Sequence, residues 1–443
     1  LVSLSVAFHK GNIVKKFAVL CPLNSKNRLE TFVYFALASA LVLWLWPLTV
    51  FGGDSGTYFR WAVCRAPFYP ILYKLATLCM GSAHALAALN LFQTTAAVAA
   101  ALWLAAVMRK RFGIISAAAG LAVFIFPLYK YNWAQSEPLS IAFMAVFCAL
   151  LTELAFAFSW KRWTLVCASA ALSTLLRPQF FFLYPVLGIF ALYHLRNTSK
   201  NAAGAIAIIA ACLVAAALLE NSVNAARFGF FGKHKRANSH VGSILLFISD
   251  GPADAALFKN RPDYPVIKVM YDFMSRNRLW LDWPLAVKAK SIPNYFEDLR
   301  ALESTVMARR FGYDDTRQDA VWRGMVKTLL RKYWFRWLLF AGICLSQQPL
   351  VSVFNLTLFL GAFITVFLAF SRSQSEALKT LALCAAAAMF FNHFLIALTT
   401  GVFWRHYTMY SDMAVLAACA AALAWLPVLR ICNGEVSDSS SLA

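Results

Sequence analysis

Apolar stretches of about 20 residues recur along the chain, separated by short connectors rich in Lys and Arg. At about 1.5 Å per residue, a helix of that length crosses a hydrocarbon core of about 30 Å while satisfying its own backbone polar groups. Hydrophobic residues make up 61% of the 443 residues and charged ones 14%, which excludes ordinary soluble usage. The expectation is an all-α polytopic membrane protein with about ten membrane segments.

The net charge of +21 would fit a nucleic-acid binder if it were gathered in a soluble module. It is spread over connectors and one long loop instead. No nucleic acid is therefore expected, and anionic membrane lipid is the partner this charge implies. The ten cysteines form no CxxC pair, and Cys148, Cys167, Cys212 and Cys419 fall inside apolar spans, where a thiol behaves as a small hydrophobe. Cys64 and Cys79 share one predicted external segment and either pair there or stay separate.

Charge placement orients the spans. Residues 1–30 form a basic segment with Lys10, Lys15, Lys16, Lys26 and Arg28, expected in the cytoplasm, and residues 31–51 read as a retained first helix. Residues 52–82, broken by Pro67 and Pro70, read as an external interfacial loop. The span 83–108 returns to the cytoplasmic cluster Arg109, Lys110 and Arg111, and the spans 113–129 and 138–160 end at Lys161 and Arg162. Two short kinked helices are expected around Arg177-Pro178 within 163–195, and the span 202–221 completes a core covering 31–223.

Residues 224–332 hold most of the acidic residues and no span-length apolar run, which predicts an external subdomain with a small core. In residues 333–432, interruptions at Gln347, Gln348 and Pro349 predict an interfacial helix followed by a span, with the last two spans at 381–400 and 409–431. Residues 433–443 are Ser-rich and read as a disordered cytoplasmic tail.

This topology gathers unusual polar groups on the outer face. Asp54 lies in the glycine-rich turn Gly52-Gly53-Asp54-Ser55-Gly56 and suits either a base or a helix cap. Glu137 precedes Pro138 at a helix start, where a carboxylate also satisfies the helix dipole. Arg177, among Leu and Phe, needs an anion, a carbonyl or an interface to which it can snorkel. Arg405, His406 and Tyr407 lie between the last two spans and suit either headgroup anchoring or a phosphate grip. The basic run from Phe230 to His240 is a solvated or headgroup-contacting face.

Gly53-Asp54-Ser55 with Tyr58, Ala66-Pro67-Phe68-Tyr69-Pro70, Ser136-Glu137-Pro138-Leu139, Leu176-Arg177-Pro178 and Arg405-His406-Tyr407 occur in that order. Together they resemble the GT-C superfamily of membrane glycosyltransferases, in the branch of protein O-mannosyltransferases and the lipid A aminoarabinose transferase. The resemblance implies a GT-C-like helical bundle, a polyprenyl-phosphate sugar donor, and a glycan, lipid or protein acceptor entering from the periplasmic or luminal side. The expected setting is a bacterial inner membrane. Many relatives carry paired acidic residues where Asp54 is followed by Ser55, and other residues often separate the arginine and tyrosine that flank His406.

On this reading Asp54 is the base and Glu137 orients the acceptor or shares a divalent metal, Mg2+ or Mn2+, with Asp54. Arg405 and Arg177, with His406, Tyr407, Lys130 and Arg60, hold the donor phosphate, while Tyr58 and Tyr69 contact substrate. Residues 264–283 are expected to help cover the site. A polytopic transporter or lipid flippase, or a polymerase or ligase of lipid-linked glycans, would also use such a cationic outer face.

Overall fold

The computed structural model describes residues 28–46, 59, 66–130, 136–196, 199–229, 231–232, 237–277, 283–351, 353–372, 375–401 and 405–423. Among these residues the regular structure is helical, with no strand. The first half contains α1 (Arg28–Leu45), α2 (Phe68–Met80), α3 (Ser82–Phe112), α4 (Ile114–Lys130), α5 (Glu137–Phe156), α6 (Trp160–Leu176), α7 (Leu183–His194) and α8 (Ser199–Phe228). The second contains α9 (Ala237–Ile248), α10 (Tyr264–Arg276), α11 (Leu285–Ala301), α12 (Asp315–Val351), α13 (Val353–Arg372), α14 (Glu376–Thr399) and α15 (Arg405–Leu423).

Four described helices, α3, α5, α8 and α14, are long and apolar enough to cross a membrane, which fits a multi-pass membrane protein. Shorter apolar helices, including α2, α4 and parts of α1, α9, α13 and α15, accompany them. The apolar window of α8 is only 22% buried, and Leu360, Phe363 and Phe367 on α13 are exposed. In water such faces would be costly; in lipid they are the natural outer surface.

Local signals explain several helix ends. Gly113 ends α3 at φ 89°, a conformation glycine tolerates best, and its N–H bonds back to Arg109 O. The last turn of α3 carries Arg109, Lys110 and Arg111, where positive charge suits the helix dipole. Arg177 is extended at φ −148° and ψ 122°, as a residue before proline prefers, so α6 stops there. A 3-10 turn, Pro178–Phe182, then leads into α7, giving two short helices around the break.

In the 333–369 region the helix break falls just after the interrupting residues, with α12 ending at Val351 and α13 following from Val353 to Arg372. A single helix, α12, runs 37 residues through Gln347, Gln348 and Pro349. Pro349 falls in its last turn, so the lost backbone bond weakens the helix end instead of splitting the helix. Within the 52–82 segment, the described residues from 66 onward form α2, which packs on α3 and buries Tyr69.

Side-chain contacts fix which helix ends lie together. At one end, Glu153 pairs with Arg162 at 3.1 Å and Arg111 at 3.9 Å, Arg196 meets Glu376 at 2.8 Å, and Ser116 Oγ donates to Ala420 O at 2.7 Å. This is the basic end. At the opposite end, Trp44 stacks on Tyr129 at 5.3 Å, and Glu137 pairs with Arg177.

The helices between 237 and 332 sit at that opposite, loop end. Their core contains Ile244, Phe247, Phe258, Met270 and Trp322, and continues into Phe340 of α12 and Ala397 of α14. Trp337 Nε1 donates to Leu398 O at 3.0 Å, which ties the same surface to α14. The expected loop subdomain therefore shares its core with the membrane helices through α12.

A polar cluster braces this junction. Asp254 is 2% exposed and accepts from Lys332 Nζ at 2.6 Å, Tyr333 OH at 2.5 Å and Asp250 N at 3.0 Å. Its charge is buried yet fully partnered, as a buried carboxylate must be. Asp250 is half exposed and pairs with Arg336 at 2.7 Å and Lys332 at 3.2 Å. The Tyr333 hydroxyl first, then Lys332 and Arg336, hold its carboxyl below the usual range against the opposing effect of burial.

Candidate functional site

Glu137 and Arg177 come from separate connectors and meet at the loop end. Arg177 Nη1 donates to Glu137 Oε1 at 2.5 Å and to Tyr410 OH at 3.2 Å. Tyr410 extends from α15, is fully buried, and packs against Phe180 with ring centroids 4.7 Å apart. The Arg177 guanidinium lies 5.8 Å from the Tyr410 ring centroid, close enough for a cation–π contribution. Three elements thus hold one cation: the first turn of α5, the break after α6, and α15.

Glu137 is 2% exposed, and its Oε2 is buried without a hydrogen-bond partner. The Arg177 side chain is 11% exposed. The pair is neutral as a unit, so its main effect is to fix the direction of Arg177 in a low-dielectric setting. Net positive charge for binding an anion must come from other residues.

A second polar cluster packs beside it. Tyr69 is fully buried, with its hydroxyl donating to Gln93 Oε1 at 3.3 Å, and Gln93 Nε2 donates to Asn90 Oδ1 at 3.2 Å. Leu139, two residues after Glu137, and Leu176, just before Arg177, share an apolar cluster with Tyr69. Asn392 on α14 donates to Ser411 Oγ at 2.9 Å, one residue beyond Tyr410.

The remaining expected site residues are placed unevenly. Lys130 is exposed at the last turn of α4. Arg405, His406 and Tyr407 form the start of α15, so their backbone begins the helix that carries Tyr410. Asp54, Tyr58 and Arg60 lie outside the described residues, as does Cys64, the proposed partner of Cys79. Cys79 is an exposed free thiol. Within the 264–283 segment, α10 buries Val266, Ile267, Met270, Tyr271 and Met274.

The metal expectation paired Glu137 with Asp54. Glu137 already gives one oxygen to a guanidinium, and a cation beside it would face like charge from Arg177. Among the described residues no group of three or more His, Cys, Asp or Glu side chains is placed to hold a metal ion. The other half of the expected pair, Asp54, lies outside the described residues.

Tyr410, Gln93 and Asn90 were missed by sequence reasoning, although each carried a signal. Polar side chains within an apolar span need a partner, and a tyrosine there needs one for its hydroxyl. Comparison of the chain with protein-family models, with curated proteins and with solved structures finds no match.

Proposed function

We propose that this chain is a membrane glycosyltransferase that moves a sugar from a polyprenyl-phosphate donor to a hydroxyl of a glycan, lipid or protein acceptor, at the loop end of the bundle. The observation that carries this reading is the buried polar cluster of Arg177, Glu137 and Tyr410 at the end where the loop subdomain shares its core with α12 and α14. Glu137 neutralises Arg177 and fixes its direction, so the net positive charge is assigned to Arg405 and Lys130. Fixed, poorly solvated cations are what a departing phosphate requires. The order of the short motifs, which resembles that of GT-C enzymes, supports the same reading.

In the proposed step the Asp54 carboxylate takes the acceptor hydroxyl proton as that oxygen forms a bond to the anomeric carbon. The bond from this carbon to the phosphate oxygen breaks, and its electron pair stays on the polyprenyl phosphate. Attack opposite the departing phosphate inverts the anomeric centre. Arg405 and Arg177 stabilise the negative charge that grows there, with His406, Tyr407, Lys130 and Arg60 adding contacts to the phosphate. Glu137 keeps Arg177 in register, and Tyr58 and Tyr69 shape the acceptor side. No step is routed through a metal. The proposed location is a bacterial inner membrane with the loop end facing the periplasm.

The test is sugar transfer by purified protein in lipid, supplied with polyprenyl-phosphate sugars and acceptor, comparing wild type with Asp54→Ala. Donor consumption by wild type and its loss in the variant is the expected result. Normal turnover by Asp54→Ala overturns the base assignment. Liposome transport of the lipid-linked sugar without transfer would replace the enzyme with a flippase.

A further inference from the structure

The buried face of α12 is apolar along its length: Trp322, Met325, Leu329, Tyr333, Phe340 and Cys344 recur at helical spacing and pack into the loop-end core. The opposite stripe changes character as it runs. Lys327 and Arg331 are exposed, and Trp334 (56% exposed), Phe335 (65%), Leu338 and Leu339 follow on the same side. Spacings of three and four residues stack these side chains on one face. Trp334 and Phe335 pack edge to face with ring centroids 5.8 Å apart, and both stand clear of the rest of the chain. A helix bathed in water throughout would not present four large apolar side chains side by side.

Contacts at several points show how α12 runs. Trp337 is tied to Leu398 near the loop end of α14, and Gln347 Nε2 donates to Ala286 O of the loop subdomain at 3.3 Å. α13 starts from the same level. Phe370, near its far end, meets Tyr193 and Lys379 at the basic end, and Phe359 meets His393 of α14 with ring centroids 5.6 Å apart. Val353 lies about 9 Å of helix beyond Phe359, and Leu398 about 7.5 Å beyond His393. The stretch of α12 from Trp337 to Val351 therefore begins and ends on one level, running along the loop-end surface instead of across the bundle.

The cations of this helix divide into two sets. Arg323 pairs with Asp319 at 2.6 Å, Lys332 and Arg336 pair with Asp250, and Lys332 also pairs with Asp254. Among the described residues no carboxylate pairs with Lys327 or Arg331, which stand one turn apart on the stripe that leads to Trp334. Two uncompensated cations, an aromatic pair and then aliphatic side chains follow the order of a leaflet boundary, from phosphate through interface to acyl chain. From this arrangement we infer that the exposed stripe of α12 is a binding site for an anionic phospholipid of the leaflet at the loop end. Its phosphate lies at Lys327 and Arg331, and its acyl chains lie against Trp334, Phe335 and Leu338. The site shares no residue with the Arg177 cluster and does not depend on the glycosyltransferase reading.

The experiment places the full chain in phosphatidylcholine liposomes with one of two anionic photoreactive probes. One is phosphatidylethanolamine with the reactive group acylated onto its headgroup nitrogen; the other is phosphatidylglycerol with the group midway along an acyl chain. After illumination, cross-linked residues are mapped by mass spectrometry. Headgroup labelling is expected within residues 324–335 and acyl labelling within residues 334–342. Lys327→Gln and Arg331→Gln remove exposed charges that brace nothing in the fold, so both variants should keep the wild-type melting temperature. Each should lower headgroup labelling about fivefold. Arg317→Gln removes a cation about 15 Å back along α12 from Lys327, beyond the reach of a screened charge, and should change that labelling by less than about twofold. Headgroup labelling absent from residues 324–335, or lowered as much by Arg317→Gln as by Arg331→Gln, would overturn the proposal. So would competition by polyprenyl phosphate but not by unlabelled phosphatidylglycerol, since the stripe would then hold that lipid in place of a phospholipid.

Discussion

Replacing Arg177 with Met removes the guanidinium and leaves Glu137 2% exposed, with neither carboxylate oxygen bonded to the cation. Breaking one side of a buried ion pair typically costs about 3–5 kcal/mol. Glu137 is the first residue of α5, where the helix dipole favours negative charge by about 1 kcal/mol, so that residual stabilisation remains. The expected net loss is therefore about 2–4 kcal/mol. A cycle of wild type, Arg177→Met, Glu137→Leu and the double variant, unfolded in detergent and followed by intrinsic fluorescence, isolates the coupling. Each single variant should melt lower by several degrees, while the double variant should return close to wild type because no buried charge is left unpaired. Additive losses would show that the two side chains do not depend on one another, and the positioning role of Glu137 would fall with them.

Tyr410→Phe removes one hydrogen bond to Arg177 and keeps the ring against Phe180, so stability should fall by only about 1 kcal/mol while sugar transfer drops mainly in kcat. Gly242→Ala sets a methyl group against the buried Trp322 ring, and overpacking there should destabilise the loop end by about 1–3 kcal/mol, read as a lower melting temperature with the fold retained. Asp250 titrates below the usual carboxylate range in the folded chain, so its stabilising contribution is complete above that range and is lost as pH falls through the folded value. Melting temperature should accordingly decline below about pH 4 in wild type and less steeply in Asp250→Asn. An equally steep acid decline in Asp250→Asn would assign the effect to other carboxylates.

Much of the scaffold is legible in the amino-acid order because membrane helices obey simple rules. The end of α3 is marked by a basic cluster followed by glycine, and the break after α6 by proline. Charge parity also places Glu137 and Arg177 on one face. It does not specify that they touch each other, since that depends on how α5 and α6 pack. The contribution of Tyr410 is harder still, because it sits inside an apolar stretch 233 positions away from Arg177. The exact end of α12 is hidden for a different reason: the breaking signals at Gln347, Gln348 and Pro349 mark the break before α13, but helix propagation from the preceding turns carries α12 through them to Val351.

The length of α12 has a mechanical consequence. Thirty-seven helical residues at about 1.5 Å each make a rod of about 55 Å, with the Asp254 brace partway along it and the Trp337 contact to α14 just over a turn beyond. A tilt of the outer helices cannot be absorbed by a loop at that point, because the rod runs unbroken through the junction. It must appear as a lever motion at Leu398, near the end of the helix that also carries Asn392. A displacement of the outer helices would thus be felt mechanically beside Tyr410, through Leu398 and the contact that Asn392, on the same helix, makes with Ser411.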